Sequence, residues 1–215
     1  DDQASYAKYG SGFSDIGDFR RDNVNQLIRM LDEELHAADR DLSFGVSPSG
    51  IWANKSTLPE GSDTAGAESY SRYYADSVYW AKAGIVDYLA PQIYWNIGYS
   101  IADYQVLANW WSDTLKGTDT ALYIGMADYK AAEAADDPSD VWYGTAELER
   151  QMNLNRSISG ISGEIHFRYR LIENDPEISS FLSEYYRDNT GENPEETEET
   201  EVSEEQSSEE DSTEE

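Results

Sequence analysis

Cysteine is absent from the 215 residues, which excludes disulfides and thiolate metal sites. Basic residues are scarce: 15 Lys and Arg stand against 44 Asp and Glu, for a formal net charge of −29. A surface so acidic repels phosphate backbones and anionic lipid headgroups, so nucleic-acid and membrane-surface binding are both disfavoured. Long apolar runs are missing as well. The best charge-free run, Tyr88–Ala102, is interrupted by Pro91, Gln92 and Asn96 and falls short of the ~20 apolar residues that span a bilayer. No initiator Met or signal peptide is present, and the abrupt opening "DDQASYAKYG" is what a segment of a longer chain would show.

What is there is unevenly spread. Thirteen of the acids fall in Thr190–Glu215 without one Lys or Arg, so the first 189 residues carry −16. The tail holds a single valine after Pro194. It cannot bury enough apolar surface to offset the entropy of ordering, and is expected to be a disordered linker or tail. Residues 1–189 form the folded part.

There the chain alternates. Strand-type runs are expected at Leu42–Ser47, Ile85–Tyr94, Ala121–Ala127 and Glu164–Tyr169, with helical patterns at Phe19–Ala37, Glu68–Ala83, Ala102–Leu115, Ala146–Ser157 and Glu177–Arg187. Asp18, Ser100 (paired with Asp103) and Thr145 sit where N-caps belong, and Gly84 and Gly117 where helices stop. Strands about 35–45 residues apart with a helix in each gap mean βαβ units and a parallel sheet. Each strand has one bulky face, such as Leu122, Ile124 and Met126, and one small or polar face, such as Tyr123, Gly125 and Ala127. A doubly wound sheet is apolar on both faces, whereas a (β/α)8 barrel tolerates small or polar residues inside. The α/β fold class expected is therefore the (β/α)8 TIM-barrel type, of which four strands make half.

In such a barrel the site lies at the C-terminal ends of the strands. The stretch "FGVSPSGIWAN" places Trp52 and Asn54 just beyond the first strand, "APQIYWNIG" brings Gln92, Tyr94, Trp95 and Asn96 to the rim of the second, and "GMADYK" brings Asp128 and Tyr129 to the third. The fourth supplies Arg168 and Tyr169. Aromatic faces accept the C–H face of a pyranose while amides and phenols meet its hydroxyls, so the rim reads as a carbohydrate groove; the plainer reading is a plug over the barrel top.

The segments "DFRRDNVNQLI", "FGVSPSGIWAN", "GSDTAGAESYSRYYADSVYWAKAGIVDYLAPQIYWNIG", "LYIGMADYK" and "ERQMNLNR" resemble the bacterial glycosyl hydrolase-like family 10 domain, from residue 1 to about Asn189. The resemblance implies a (β/α)8 glycosidase-like fold, activity on peptidoglycan glycan strands in some members, and correspondence to the family's C-terminal half. It also implies an Asp-Asp pair at a strand end just before Asp1. The sequence departs from the family pattern in three places. Phe19 stands in a Trp-Arg-Arg motif, Asn96 stands where a His often follows the Tyr-Trp pair, and Glu164, His166 and Arg168 occupy a last strand that is usually small or apolar.

Glycosidases use two carboxylates. The rim offers Asp22, Asp63, Asp103 and Asp128, of which Asp63 in "GSDTAG" has no evident structural task and joins Trp52, Asn54, Gln92, Tyr94, Trp95, Asn96 and Tyr129 as a substrate-contact candidate. The catalytic acid itself stays unassigned. Glu164, His166 and Arg168 are expected to form an inward polar row paired by charge, and His36 a surface residue. No metal and no cofactor enters this reading. The chain is expected to be part of a secreted glycoside hydrolase acting on cell-wall glycan or a related polysaccharide. The alternatives are a non-catalytic carbohydrate-binding barrel and a cell-wall spacer or scaffold.

Overall fold

The structure, a computed structural model, describes residues 2–190. The acidic tail expected beyond them lies outside the described residues. The elements run α1 (Gln3–Tyr9), α2 (Ile16–Ala38), β1 (Gly45–Val46), α3 (Ser69–Arg72), α4 (Ser77–Lys82), β2 (Tyr88–Leu89), α5 (Tyr104–Leu115), β3 (Ala121–Met126), α6 (Asp128–Glu133), α7 (Ala146–Ser157), β4 (Ile161–His166), α8 (Tyr169–Asn174) and α9 (Pro176–Thr190). The chain divides into two compact units, with the boundary between Leu171 and Ile172. In the second unit, α9 buries Ile178, Leu182 and Tyr185 at helical spacing.

The four strands form one parallel sheet in the order β1-β2-β3-β4, with no reversal of direction along the sheet. One face is covered by helices. Leu89, Leu122, Ile124 and Met126 lie there wholly buried under Tyr104, Leu107 and Trp111 of α5 and Leu148 and Met152 of α7. The other face carries Gly45, Tyr88, Tyr123, Gly125 and Ile165. Gly45 leaves room there for the Tyr88 ring, which a Cβ would meet at 2.3 Å.

Several sequence expectations are corrected. The helix expected over Glu68–Ala83 is two helices, α3 and α4, parted at Tyr74, which adopts a φ of +55°, and restarted by Asp76, whose carboxylate caps Tyr79 N. The first long helix is capped by Asp15, three residues before the expected Asp18, and α5 by Asp103 rather than Ser100. Thr145 holds the N-cap position of α7 without a side-chain bond. Gly84 and Gly117 do follow their helices, at φ +64° and +84°. His36 is not a plain surface residue: its ring bridges Asp32 (2.9 Å) and Asp87 (3.2 Å) at the end of α2.

The largest correction concerns β4, which starts three residues earlier than expected. The pairing Leu122↔Ile161 is followed by Tyr123↔Gly163, so Ser162 is an extra residue, a bulge that resets the alternation. Beyond it Glu164 pairs with Ile124 and His166 with Met126, on the helix-covered face. The expected inward row of Glu164, His166 and Arg168 is therefore turned around. Glu164 accepts from Asn155 of α7, His166 meets Asp128, and Ile165 faces the open side. Arg168 and Tyr169 lie past the strand, Tyr169 as the first residue of α8.

Candidate functional site

The loop after β1 is pinned by indoles. Trp52 donates to Asp76 (3.0 Å), Trp110 to the Glu60 carbonyl (3.0 Å) and Trp111 to the Gly50 carbonyl (2.8 Å). Trp52 also stacks on Trp110 at 5.9 Å and meets Tyr70 edge-on at 5.3 Å. Burial raises the pKa of Asp76, against the pull of the Tyr79 amide, the Trp52 indole, Arg21 and Lys82. Arg21 in turn stacks on Tyr70, 4.1 Å from its ring centre, and Arg20 grips Asp2 with two bonds, so the double arginine ties α2 to its neighbours.

Trp52 and Asn54, groove candidates by sequence, stand here within the loop's internal frame. Trp52 is buried, as is Asn54, whose amide donates to the Gly66 carbonyl (2.9 Å) and to Glu68 (2.8 Å) while its oxygen accepts from Thr64 (2.8 Å). Glu68, buried, takes the Asn54 amide N–H at 2.6 Å as well. Asp63 stands exposed on the same loop.

A second set gathers where β2, β3 and β4 end. The rings of Tyr94, Tyr129 and Phe167 form a closed triangle. Tyr94 and Phe167 stack at 6.0 Å, and Tyr129 meets them edge-on at 5.9 and 6.1 Å. Alternation from Gln92, which bridges to Gly125, and from Ile165 carries Tyr94 and Phe167 to the open side of the sheet. Phe167 is 46% exposed, so its face is available to a ligand. Beside it, Tyr129, Ala132, Glu133, Phe167, Arg168 and Leu171 line a cleft of about 440 Å³.

Burial pushes the Tyr94 phenol up to about 12, with Tyr129 and Asp128 adding to the effect. Burial, then Glu133, raises that of Tyr129 too. Both phenols therefore stay protonated at neutral pH and can donate as well as accept. Lys130 holds the loop from below, its ammonium 2.7 Å from the Tyr94 carbonyl and 5.1 Å from the Trp142 ring centre; burial lowers its pKa while Glu133 and Asp140 oppose.

The other candidates stand around this cluster. Gln92 donates to the carbonyl and hydroxyl of Ser47 at 3.1 and 3.2 Å. Trp95 is half-buried with its ring against Gly50, where a Cβ would lie 3.1 Å from the ring and 2.4 Å from the Gln92 carbonyl oxygen. That close approach is why the turn of "SPSG" ends in glycine. Asn96 donates to the neighbouring Ile97 carbonyl (2.9 Å). The structure thus brings Tyr94 and Tyr129 together, and keeps Trp52, Asn54 and Asp63 on a separate loop.

Sequence reasoning missed Phe167, which the bulge turned to the open side. It also missed a buried polar stripe on α7. Glu147 accepts from Ile97 N (2.7 Å), Arg150 (2.8 Å) and Gln151 (2.8 Å); Gln151 donates to the Trp95 carbonyl (3.1 Å); Asn155 accepts from Tyr104 (3.0 Å). The spacing Glu147, Gln151, Asn155 is one helix face and was visible as such. Asp128 is wholly buried, 2.9 Å from His166 Nδ1, and its second oxygen has no hydrogen-bond partner among the described residues.

A larger cleft of about 610 Å³ lies between α5 and α7, lined by Gln105, Asn109, Ser112, Lys116, Ser157 and Gly160 among others. It sits where the chain runs into β3 and β4, at the opposite end from the aromatic triangle, and has no aromatic lining. Among the described residues no group of three His, Asp or Glu is placed to hold a metal ion, and no helix is long and apolar enough to cross a membrane.

Comparison with known proteins agrees with the resemblance. Glycosyl hydrolase YngK of Bacillus subtilis (strain 168) is 44% identical over 177 residues, which cover 81% of this chain and 34% of that protein. Glycosyl hydrolase DigH of Escherichia coli (strain K12) is 45% identical over 170 residues, 78% of this chain and 38% of that protein. The chain thus spans little more than a third of the length of these relatives. The sequence model described as glycosyl hydrolase-like 10 matches residues 1–143, and the chain belongs to that family.

Proposed function

We propose that the complete protein is a glycoside hydrolase of bacterial cell-wall glycan or a closely related polysaccharide, working outside the cytoplasm. The observation that carries this reading is the aromatic triangle of Tyr94, Tyr129 and Phe167 on the open side of the sheet at the strand ends. Ring faces take the C–H faces of successive sugars, and phenols that remain protonated donate to their hydroxyls. The names of the relatives as glycosyl hydrolases support the reaction class. The parallel order without reversal, and large residues such as Tyr88, Tyr123 and Ile165 on the open face, fit half of a (β/α)8 barrel completed by other parts of a longer chain.

Hydrolysis then needs two carboxylates about 5–5.5 Å apart for retention or roughly 6.5–9.5 Å for inversion. We place the principal acid outside this chain, and Trp95, Gln92 and Asp63 along the groove as contacts. The engagement of Asp22 with Gln26, of Asp103 as a cap and of Asp128 with His166 favours that placement. It is also the one observation that favours a non-catalytic carbohydrate-binding barrel. Incubating the full-length protein with purified wall glycan and with chitotetraose, and following released saccharides by mass spectrometry, separates the two. Release that falls at least tenfold in Phe167→Ala supports the hydrolase. Binding without release would establish the binding barrel, and neither binding nor release would end both readings.

A further inference from the structure

The Asp128–His166 pair is left over by this account, and we propose that it is a latch that positions the aromatic cleft. Its value for sugar binding rests on the glycan reading above; the latch itself does not. Asp128 and His166 immediately precede Tyr129 and Phe167, the cleft's two rings from β3 and β4. Those rings keep their edge-on geometry only if the two chain segments stay fixed against each other just past the strands. Two backbone bonds help, from Phe167 N to the Met126 carbonyl (3.1 Å) and from Tyr129 N to the Phe167 carbonyl (3.3 Å). The second is beyond the usual N–H···O range. The side-chain bond at 2.9 Å is the shortest of the three links at that point.

Three features argue that the pair is there for placement rather than for bulk stability. The bulge at Ser162 is what turns His166 toward Asp128 and Phe167 toward the cleft, so one backbone device sets both. The carboxylate of Asp128 is wholly buried, where an apolar side chain would serve stability as well or better. And its second oxygen has no partner among the described residues, so its attachment to β4 rests on the imidazole. Asp128 and His166 are thus positioning residues: they act on substrate through Tyr129 and Phe167.

The test is backbone amide exchange in the full-length protein, a readout that needs no ligand. In His166→Leu the amides of Tyr129 and Phe167 should exchange at least tenfold faster, while those of Leu107–Trp111 in α5 keep their wild-type rates. In His166→Asn, whose amide nitrogen stands near the place of Nδ1, the rates should return to within threefold of wild type. Should the leucine variant not fold, His166→Gln takes its place, because its nitrogen reaches toward the position of Nε2 and misses Asp128. Unchanged exchange at Tyr129 and Phe167, an asparagine variant as fast as the leucine one, or acceleration spread equally over α5 would each overturn the latch. Failure of the glycan reading looks different: Phe167→Ala would leave binding of wall glycan and chitotetraose unaltered while the exchange pattern still followed residue 166.

Discussion

Replacing Glu68 should release the long loop after β1, and the size of the effect follows from its bonds. The carboxylate takes the Asn54 backbone N–H at 2.6 Å, the Asn54 side-chain amide at 2.8 Å and the Ser71 hydroxyl. Glu68→Ala leaves the buried Asn54 N–H without an acceptor and half-frees its side chain. Each buried polar group so stranded costs about 1–3 kcal/mol, and together about 2–4 kcal/mol, since the Asn54 side chain keeps Gly66 and Thr64. Glu68→Gln keeps the shape but turns charge-assisted bonds into neutral ones, so about 1–2 kcal/mol is expected.

The assay is amide exchange at Lys55 and Ser62, which bond across the loop at 2.8 and 2.9 Å. At about 1.4 kcal/mol per tenfold, the alanine change should speed them by roughly thirty- to eight-hundredfold. The same carboxylate gives a pH signature. Burial works against its ionisation, but the Asn54 amide, Ser71, Thr57 and the Asn54 side chain outweigh it and lower its pKa. A depressed folded pKa contributes stability above the unfolded value of about 4.3, and that contribution is lost as pH falls through the folded one. The difference between wild type and Glu68→Gln should therefore be constant from about pH 6 upward and close in acid. A change below threefold in Glu68→Ala, or a gap that widens in acid, refutes the loop-frame argument.

Other outcomes follow from the same structure. Trp95→Ala in the full-length protein should weaken binding of a glycan oligomer by about 1–3 kcal/mol with little loss of stability; unchanged affinity with a stability loss of ~3–5 kcal/mol would mark Trp95 as a plug. Gly50→Ala should destabilise by about 1–3 kcal/mol or more in thermal melts, because the new methyl meets the Gln92 carbonyl at 2.4 Å and backbone cannot move aside cheaply. Residues 1–189 produced alone should be dimeric, aggregated or molten, as an uncovered sheet face bearing Tyr88, Tyr123 and Ile165 invites association. A monodisperse monomer with one cooperative melt would contradict this.

The helices were the most legible part of the chain, because their apolar spacing and their stop signals agree: Gly84 and Gly117 mark ends that the structure keeps. The parallel order of strands followed from their spacing. What failed was alternation in β4, since a bulge adds a residue without leaving a mark in the hydrophobic pattern. "GEIHFRY" reads equally well with either set of residues facing the helices, and only the pairing across to β3 decides. One residue of slip moved Phe167 from the helix side to the cleft and His166 from the interior to Asp128. The aromatics at strand ends were likewise visible, but not which of them were engaged. Trp52 and Tyr94 look alike in sequence and differ in whether a partner such as Asp76 waits for the polar atom.

The acids show the same limit from the other side. Sequence reasoning ranks a carboxylate by position, at a strand end or in a motif without a structural task, and so selected Asp22, Asp63, Asp103 and Asp128. Burial ranks them differently. Glu68 and Glu147, each inside or beside a helix and unremarkable by position, are the ones that collect donors from distant segments, Glu147 from Ile97 and Glu68 from Asn54. A carboxylate that accepts several N–H bonds is stabilised as the anion and makes a poor proton donor. A general acid of a glycosidase needs the opposite environment, apolar and short of donors, so that it keeps its proton near neutral pH. Glu68, whose burial is outweighed by the Asn54 amide and the Ser71 hydroxyl so that its pKa is lowered, is thereby excluded as the acid by the bonds that make it valuable to the fold. Asp128 is set apart by place instead: it is wholly buried against the His166 imidazole, and the pair is turned to the helix-covered side of the sheet, away from the open face where the aromatic cleft lies.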